Sequence, residues 1–232
     1  MEKRTELITN KDRSIFHLNL LPEDISDRII IVGDPGRVDM LSELLSDIRT
    51  KKENREFKTV TGTFENSEIT LISSGIGTDN IDILINELDA LVNVDLKTGL
   101  EKEDHVSLSI IRLGTSGGLR SDIPSGSFVL AESAVGFDSL LHFYHGYDWI
   151  LNTPLADALA YYLEWPDILS YPYAVNANSD LFGLFLNEEF IKGITISAPG
   201  FYGPQGRKLR LETFDNEIND KLSRFEFRGK MI

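Results

Sequence analysis

The stretch IIRLGTSGGLR, from Ile110 to Arg120, constrains the chain more than any other. An apolar run breaks abruptly into a turn of glycines and hydroxyls, the pattern of a buried strand delivering a binding loop. Ile110, Ile111 and Leu113 are strand-type residues. Gly114, Gly117 and Gly118 permit turn geometries closed to other residues, and Thr115 and Ser116 offer hydroxyls and exposed N–H groups to whatever sits above the strand. Arg112 falls inside that strand, where a guanidinium is costly unless it meets an anion or a carboxylate. The stretch alone leaves both partners open, a ligand anion and a structural Asp or Glu.

Comparable units recur along the chain. Arg28 to Val32 reads as a short β-branched strand that stops at Gly33-Asp34-Pro35-Gly36-Arg37 before a helix carrying Val38, Leu41, Leu44 and Leu45. Glu56 to Thr63 and Ile69 to Ser73 read as two strands, the second ending in Gly75-Ile76-Gly77 ahead of a helix from Thr78 to Leu91. Asn93 to Asp104 is polar, an exposed excursion. Ser127 to Val135, Tyr171 to Asn176 and Gly193 to Ser197 read as further strands, with helices at Pro154 to Leu163 and near Asp180 to Leu186. Ala198 to Arg207 is too rich in glycine and proline for helix or strand. Strands alternating with helices predict an α/β fold with a largely parallel or mixed sheet covered by helices. In such sheets ligands collect beyond the carboxyl ends of the strands, which would set Arg37, the Gly75 turn and Thr115 on one rim.

Composition narrows the partners. With 232 residues, 41% of them hydrophobic, one large domain is the first expectation, residues 26–232, preceded by an arm over residues 1–25 in which His17 sits among Ile15, Phe16, Leu18, Leu20 and Leu21. The net charge of -14 argues against nucleic acid or an anionic membrane as partner, so any anion site must be a local cluster. No cysteine is present, the start lacks the apolar core of a signal peptide, and no apolar run reaches membrane-spanning length; a cytoplasmic location is the default expectation. His142 and His145, in LLHFYHGY, lie in an aromatic setting that favours loop packing over metal ligation. The aromatics from Phe137 to Trp149 read as core or subunit contact.

The chemistry must come from arginines at strand ends. Ser74 to Asn80 has two glycines of a dinucleotide fingerprint but Asn80 in place of the third, and no Gly-Lys-Ser/Thr phosphate loop exists, so neither NAD nor ATP is indicated. Arg37 after a Gly-Asp-Pro-Gly turn, Arg112 before Gly-Thr-Ser-Gly, and Arg55 remain. Guanidinium forks, glycine-loop amides and the Thr115 hydroxyl together suit a tetrahedral dianion such as phosphate.

These residues lie in five signatures, VGDPGRV at Val32 to Val38, REF at Arg55 to Phe57, SSGIG at Ser73 to Gly77, RLGTSG at Arg112 to Gly117 and FYGPQGR at Phe201 to Arg207. In that order they resemble the uridine phosphorylases of the nucleoside phosphorylase superfamily. The resemblance implies a three-layer αβα sandwich around a mixed, largely parallel sheet, and reversible cleavage of uridine by phosphate to uracil and ribose 1-phosphate, a nucleoside salvage reaction. It implies Gly33, Arg37, Arg112 and Thr115 at the phosphate, with Arg55 reaching into a neighbouring subunit's site and His17 lent by a partner's arm to the ribose 5′-hydroxyl. It implies Gln205 and Arg207 reading uracil, Phe201 beside the base, and no cofactor or metal, inorganic phosphate being a co-substrate. Arg112, Gln205 and Arg207 are the implied catalytic groups. A homodimer with shared sites follows as the minimum unit, open to further assembly into a hexamer.

Two departures qualify the expectation. The family's next strand carries a Met-Glu pair whose carboxylate grips the ribose hydroxyls; Met231 is not that methionine, because the spacing and the glutamate do not fit, and the family's C-terminal segment is absent from these 232 residues. Turnover therefore competes with two alternatives, a phosphate-independent nucleosidase of the same superfamily and an inactive chain that binds phosphate or uracil.

Overall fold

A computed structural model describes residues 4–186 and 189–232, so the first three residues of the arm lie outside the described residues. The chain divides into two compact units, Met1–Thr115 and Ser116–Ile232.

The first unit contains β1 (Arg28–Val32), α1 (Pro35–Ser42), β2 (Ser46–Asn54), β3 (Phe57–Phe64), β4 (Ser67–Ser73), α2 (Thr78–Asn93), the two-residue strands β5 (Val94–Asp95) and β6 (Leu100–Glu101), and β7 (Ser109–Leu113). Its sheet runs β2-β3-β4-β1-β7, antiparallel over the β2–β3 and β3–β4 pairs and parallel from β4 through β1 to β7. The polar excursion after α2 closes as the β5–β6 hairpin, and Thr5 donates its backbone N–H to Gly99 at 2.8 Å.

α1 begins where Asp34 accepts the Gly36 N–H at 2.6 Å and Pro35 supplies a preset φ. It ends at Ser42, so Leu44 and Leu45, expected on the helix, fall in the turn beyond it. β2 escaped the sequence pattern because SDIRTKKEN buries only Thr50; its lysines suit a sheet edge. A bulge between Ser46 and Thr50 carries that edge across β3 at Gly62, where any Cβ would meet the Ser46 carbonyl. The bulge delivers Arg49 to Glu68 at 2.6 and 3.0 Å and to the carbonyls of Glu23 and Ile25.

The arm differs from expectation. Ile15, Leu18 and Leu20 are buried in the unit's own core, packed with Ile25, Ile29, Ile31, Phe57, Ile72 and the α2 residues Leu84, Leu88 and Leu91. Their apolar surface needs no second chain to cover it. β7 also differs from the buried strand expected: Ile110 and Ile111 are half-buried and Arg112 and Leu113 exposed, because β1 is its one partner among the described residues.

The second unit contains β8 (Val129–Gly136), α3 (Thr153–Tyr162), β9 (Tyr173–Asn176), the short α4 (Ser179–Gly183), β10 (Ile191–Ser197), α5 (Ile218–Leu222), and the hairpin β11 (Glu226–Phe227) and β12 (Lys230–Met231). β8 pairs in parallel with β10 and antiparallel with β9. Gly136 faces Tyr173, whose ring fills the space of a Cβ; the phenol donates to Asp138 at 2.6 Å, and burial together with that bond pushes its pKa up. The core joins Val135, Phe137, Leu155, Leu159, Ala174, Ile194, Leu222 and Phe225. These mixed sheets with flanking helices are the α/β architecture expected.

Two outcomes follow. Ile15→Ala and Leu18→Ala, if the arm is core, each cost about 2–4 kcal/mol in urea unfolding, the range for emptying a buried aliphatic site, and the loss is independent of protein concentration; a loss that vanishes on dilution would assign those residues to an interface. Arg49 beside Glu68 holds that carboxyl below its ordinary value of 4.5. A folded-state value below the unfolded one contributes stability above the unfolded pKa and loses it as pH falls through the folded value. Glu68→Gln therefore flattens the acid limb of stability below about pH 4.5, read from denaturation midpoints across pH.

Candidate active site

In the first unit, three adjacent parallel strands bring three loops to one edge. Val32 lies beside Ser73 on one side and Leu113 on the other, so Gly33, Ser74-Gly75 and Gly114-Thr115 leave the sheet together. Ser74 donates its backbone N–H to the Val32 carbonyl at 2.8 Å, extending the parallel pairing into the turn.

Arg37, on the first turn of α1, crosses this rim. Its Nη1 donates to the Leu113 carbonyl at 3.2 Å, and its Nη2 would lie 3.3 Å from a Cβ at Gly33, so glycine there lets the guanidinium lie close over the β1 end. The Arg112 guanidinium folds back over Gly114, where a Cβ would overlap it. Among the described residues Arg112 has no ion-pair or hydrogen-bond partner, so the structural-carboxylate alternative finds no carboxylate. Thr115 stands exposed just beyond. Arg55 occupies the exposed tip of the β2–β3 turn at φ 55°. That turn touches the rim through Glu56, whose carbonyl accepts the Ser73 hydroxyl at 2.6 Å. Among the described residues no hydrogen bond or ion pair joins Arg55 to Arg37 or Arg112.

His17 is held within its own chain. Its Nδ1 lies 2.5 Å from Glu87 Oε1, Glu87 also accepts the backbone N–H groups of His17 and Leu18, and Asn54 donates to the His17 carbonyl at 2.7 Å. Sequence reasoning missed Glu87 and Asn54. The available signal for Glu87 was an acid inside the inward stripe of α2, between Leu84, Leu88 and Leu91.

In the second unit, Gln205 sits in a single 3₁₀ turn at Gly203–Gln205, its Nε2 donating to the Gly200 carbonyl at 3.1 Å. The Arg207 guanidinium carbon lies 4.2 Å from the centroid of the Phe201 ring, a stacked cation–π pair, and the Arg207 N–H bonds the Tyr202 carbonyl. Gly206 joins them at φ 66°, with Asp215 and Ile218 where a Cβ would go. Phe201, Gln205 and Arg207 are thus neighbours on one loop. His142 has both ring nitrogens engaged, with Tyr147 Oη at 3.2 Å and the Tyr171 carbonyl at 2.8 Å, the loop packing expected. Phe137 is core against Trp165, while Phe143 and Trp149 are exposed.

The model of the Phosphorylase superfamily matches residues 27–225. The chain belongs to that superfamily. A nucleoside phosphorylase of Trypanosoma brucei, whose crystal structure is described as showing uridine phosphorylase activity, superposes with a TM-score of 0.73 at 29% identity, covering 88% of this chain and 72% of that one. A uridine phosphorylase of Thermococcus kodakarensis is 27% identical over 192 residues, 83% of this chain and 58% of its own length. A guanosine phosphorylase of Halorubrum lacusprofundi is 33% identical over 118 residues, 51% of this chain and 43% of its own. The chain spans about half the length of the curated relatives it matches.

Gly206 is the tightest point of the Gln205–Arg207 turn. Gly206→Ala places a methyl against the Asp215 carbonyl in a left-handed conformation, and is expected to cost about 1 kcal/mol or more from backbone strain while displacing Arg207 from Phe201. Loss of stability measured by thermal melting, with the Gly203→Ala control unchanged because nothing crowds that position, checks the assignment.

Proposed function

We propose that this chain cleaves uridine with phosphate, giving uracil and ribose 1-phosphate, and that the phosphate is held by Gly33, Arg37, Arg112 and Thr115. Arg55 completes that set from a neighbouring subunit, and the functional unit is a homodimer that can assemble further. The observation that carries the choice of uracil is the loop that presents Gln205 and Arg207 together, with Arg207 already stacked on Phe201. Relatives of the same superfamily act on different bases by name, uridine in one case and guanosine in another, so base chemistry must decide.

A carboxamide donates and accepts at once, which matches the O2 and N3–H edge of uracil, and a guanidinium donates to O4. The Gly200 carbonyl occupies one N–H of Gln205, fixing the amide plane and leaving its oxygen and second N–H for the base. Phosphate oxygen attacks C1′ as the C1′–N1 bond breaks, and the bonding pair passes to the pyrimidine. The negative charge that spreads over the departing ring strengthens the bonds from Gln205 and Arg207 in the transition state, while the phosphate dianion stabilises the cationic ribose. Phosphate is the one co-substrate, and no metal or organic cofactor enters the scheme.

Uracil release measured from uridine, with and without phosphate, tests the reading. The expected outcome is phosphate-dependent cleavage of uridine over guanosine, lowered about 100-fold or more in kcat/KM by Arg207→Ala, the range for removing a donor to developing charge. Preferred guanosine cleavage would reject the base assignment, cleavage equally fast without phosphate would favour the nucleosidase, and binding of phosphate or uracil without turnover would favour the inactive chain. For assembly, mixing Arg55→Ala with Arg207→Ala is expected to restore part of the activity, since a mixed dimer contains one pocket with neither defect; no recovery after proven subunit exchange rejects shared sites.

A further inference from the structure

Glu87 is an acid where α2 should present a hydrophobic residue. It is only 8% exposed, between Leu84, Leu88 and Leu91. A carboxylate at such a depth is costly unless its oxygens are satisfied. Here they are satisfied by one short stretch of the arm. Oε2 accepts the backbone N–H of Leu18 at 2.9 Å and that of His17 at 3.1 Å, and Oε1 faces His17 Nδ1 at 2.5 Å. The His17 carbonyl is taken by Asn54, and the Phe16 ring stands edge-on to the imidazole at 4.9 Å. Backbone and ring of His17 are thus fixed from several sides, far more than burial of an arm requires.

A lone pair on Nδ1 facing a carboxylate oxygen at this distance would be repulsive, so the proton between them belongs to the ring. The partner of one imidazole nitrogen sets the state of the other. We propose that Glu87 is a positioning residue for His17: it keeps the proton on Nδ1 and leaves Nε2 as the nitrogen that meets the ribose 5′-oxygen. The second half of this statement rests on the uridine reading above and on the ribose 5′-hydroxyl contact that the resemblance implies for His17. A neutral ring then accepts from the 5′-hydroxyl through Nε2, and a charged ring donates to it, without rearrangement at Nδ1. Asn54 acts in the same way on the backbone, holding the peptide that carries the ring.

Long-range proton–nitrogen spectra of the His17 ring, recorded on the 232-residue chain above the imidazole titration range, test the first half. Glu87 as assigned gives the Nδ1–H tautomer, and Glu87→Ala moves it to the mixture of an unrestrained histidine. An Nε2–H ring in the unsubstituted chain, or a tautomer unchanged by the substitution, overturns the proposal. Should Glu87→Ala fail to fold, Glu87→Gln retains an acceptor oxygen for the backbone N–H groups and is read in the same way.

The second half is read by comparing uridine with 5′-deoxyuridine. Either variant is expected to raise KM for uridine about tenfold, the worth of one hydrogen bond, with little change in kcat and none for 5′-deoxyuridine. An equal loss on both substrates would assign Glu87 a structural role only and overturn the positioning role. If the unsubstituted chain leaves uridine uncleaved while the tautomer shift is observed, the uridine reading fails and the contact to the 5′-oxygen with it, whereas the Glu87–His17 proton assignment is supported.

Discussion

The parallel pairing of β1 with β4 on one side and β7 on the other is the constraint on which the rest of the first unit depends. Parallel neighbours end at the same edge, so the residues that follow them are placed side by side although Val32 and Ser73, or Val32 and Leu113, are far apart in the chain. Ile29 and Ile31 anchor β1 from the core side, and Ser74 carries the ladder one residue further by bonding the Val32 carbonyl. Everything at the rim is short-range from there. Gly33 and Gly114 let a guanidinium, and Gly75 the side chains of Asn80 and Glu56, approach where a Cβ would intrude, and α1 starts close enough to Val32 for Arg37 to reach Leu113.

The arm shows how one sequence pattern can fit two physical settings. An amphipathic stretch ahead of a domain has the same pattern whether its apolar side meets its own core or another chain's surface. Ile15, Leu18 and Leu20 meet their own core, so those three give no hydrophobic argument for a dimer, while Phe16 keeps 38% of its surface exposed. A buried arm can still present its side chains elsewhere. His17, 27% exposed at the side chain, is anchored on one ring nitrogen and one face of its backbone.

Much of the fold was legible because its strands are β-branched runs, several of them ended by glycine. β1, β4, β7 and β8 run into or end on glycine, β3, β9 and β10 were read from their β-branched and aromatic residues without it, and α2 shows its face plainly through Leu84, Leu88 and Leu91. β2 was not legible, since an edge strand bearing lysines has no alternation to read, and the five-residue α5 has too few turns to show a period. The rim could be inferred from strand ends, but exposure of β7 could not, because apolar content does not tell an edge from a centre. Among the candidate residues of each unit, the arginine identities in the first and the Gln-Gly-Arg spacing in the second were readable. What holds them was not: the Leu113 carbonyl, the Gly200 carbonyl and the Phe201 face are backbone or ring partners that leave no mark in a charge pattern.

That choice of partners has an electrostatic consequence. The chain has 37 acidic residues against 23 lysines and arginines, so a cation has many carboxylates within reach, and Arg49 with Glu68 and Arg120 with Asp122 show the usual outcome. Among the described residues, Arg37, Arg55, Arg112 and Arg207 have no such partner. Arg37 is positioned by a carbonyl and Arg207 by an aromatic face, neutral groups that restrict the side chain without cancelling its charge. Pairing any of them with Asp or Glu would fix it equally well and would leave little net field for an incoming anion. In a chain whose average field repels anions, positioning without neutralisation is the physical condition for a local phosphate or oxyanion site.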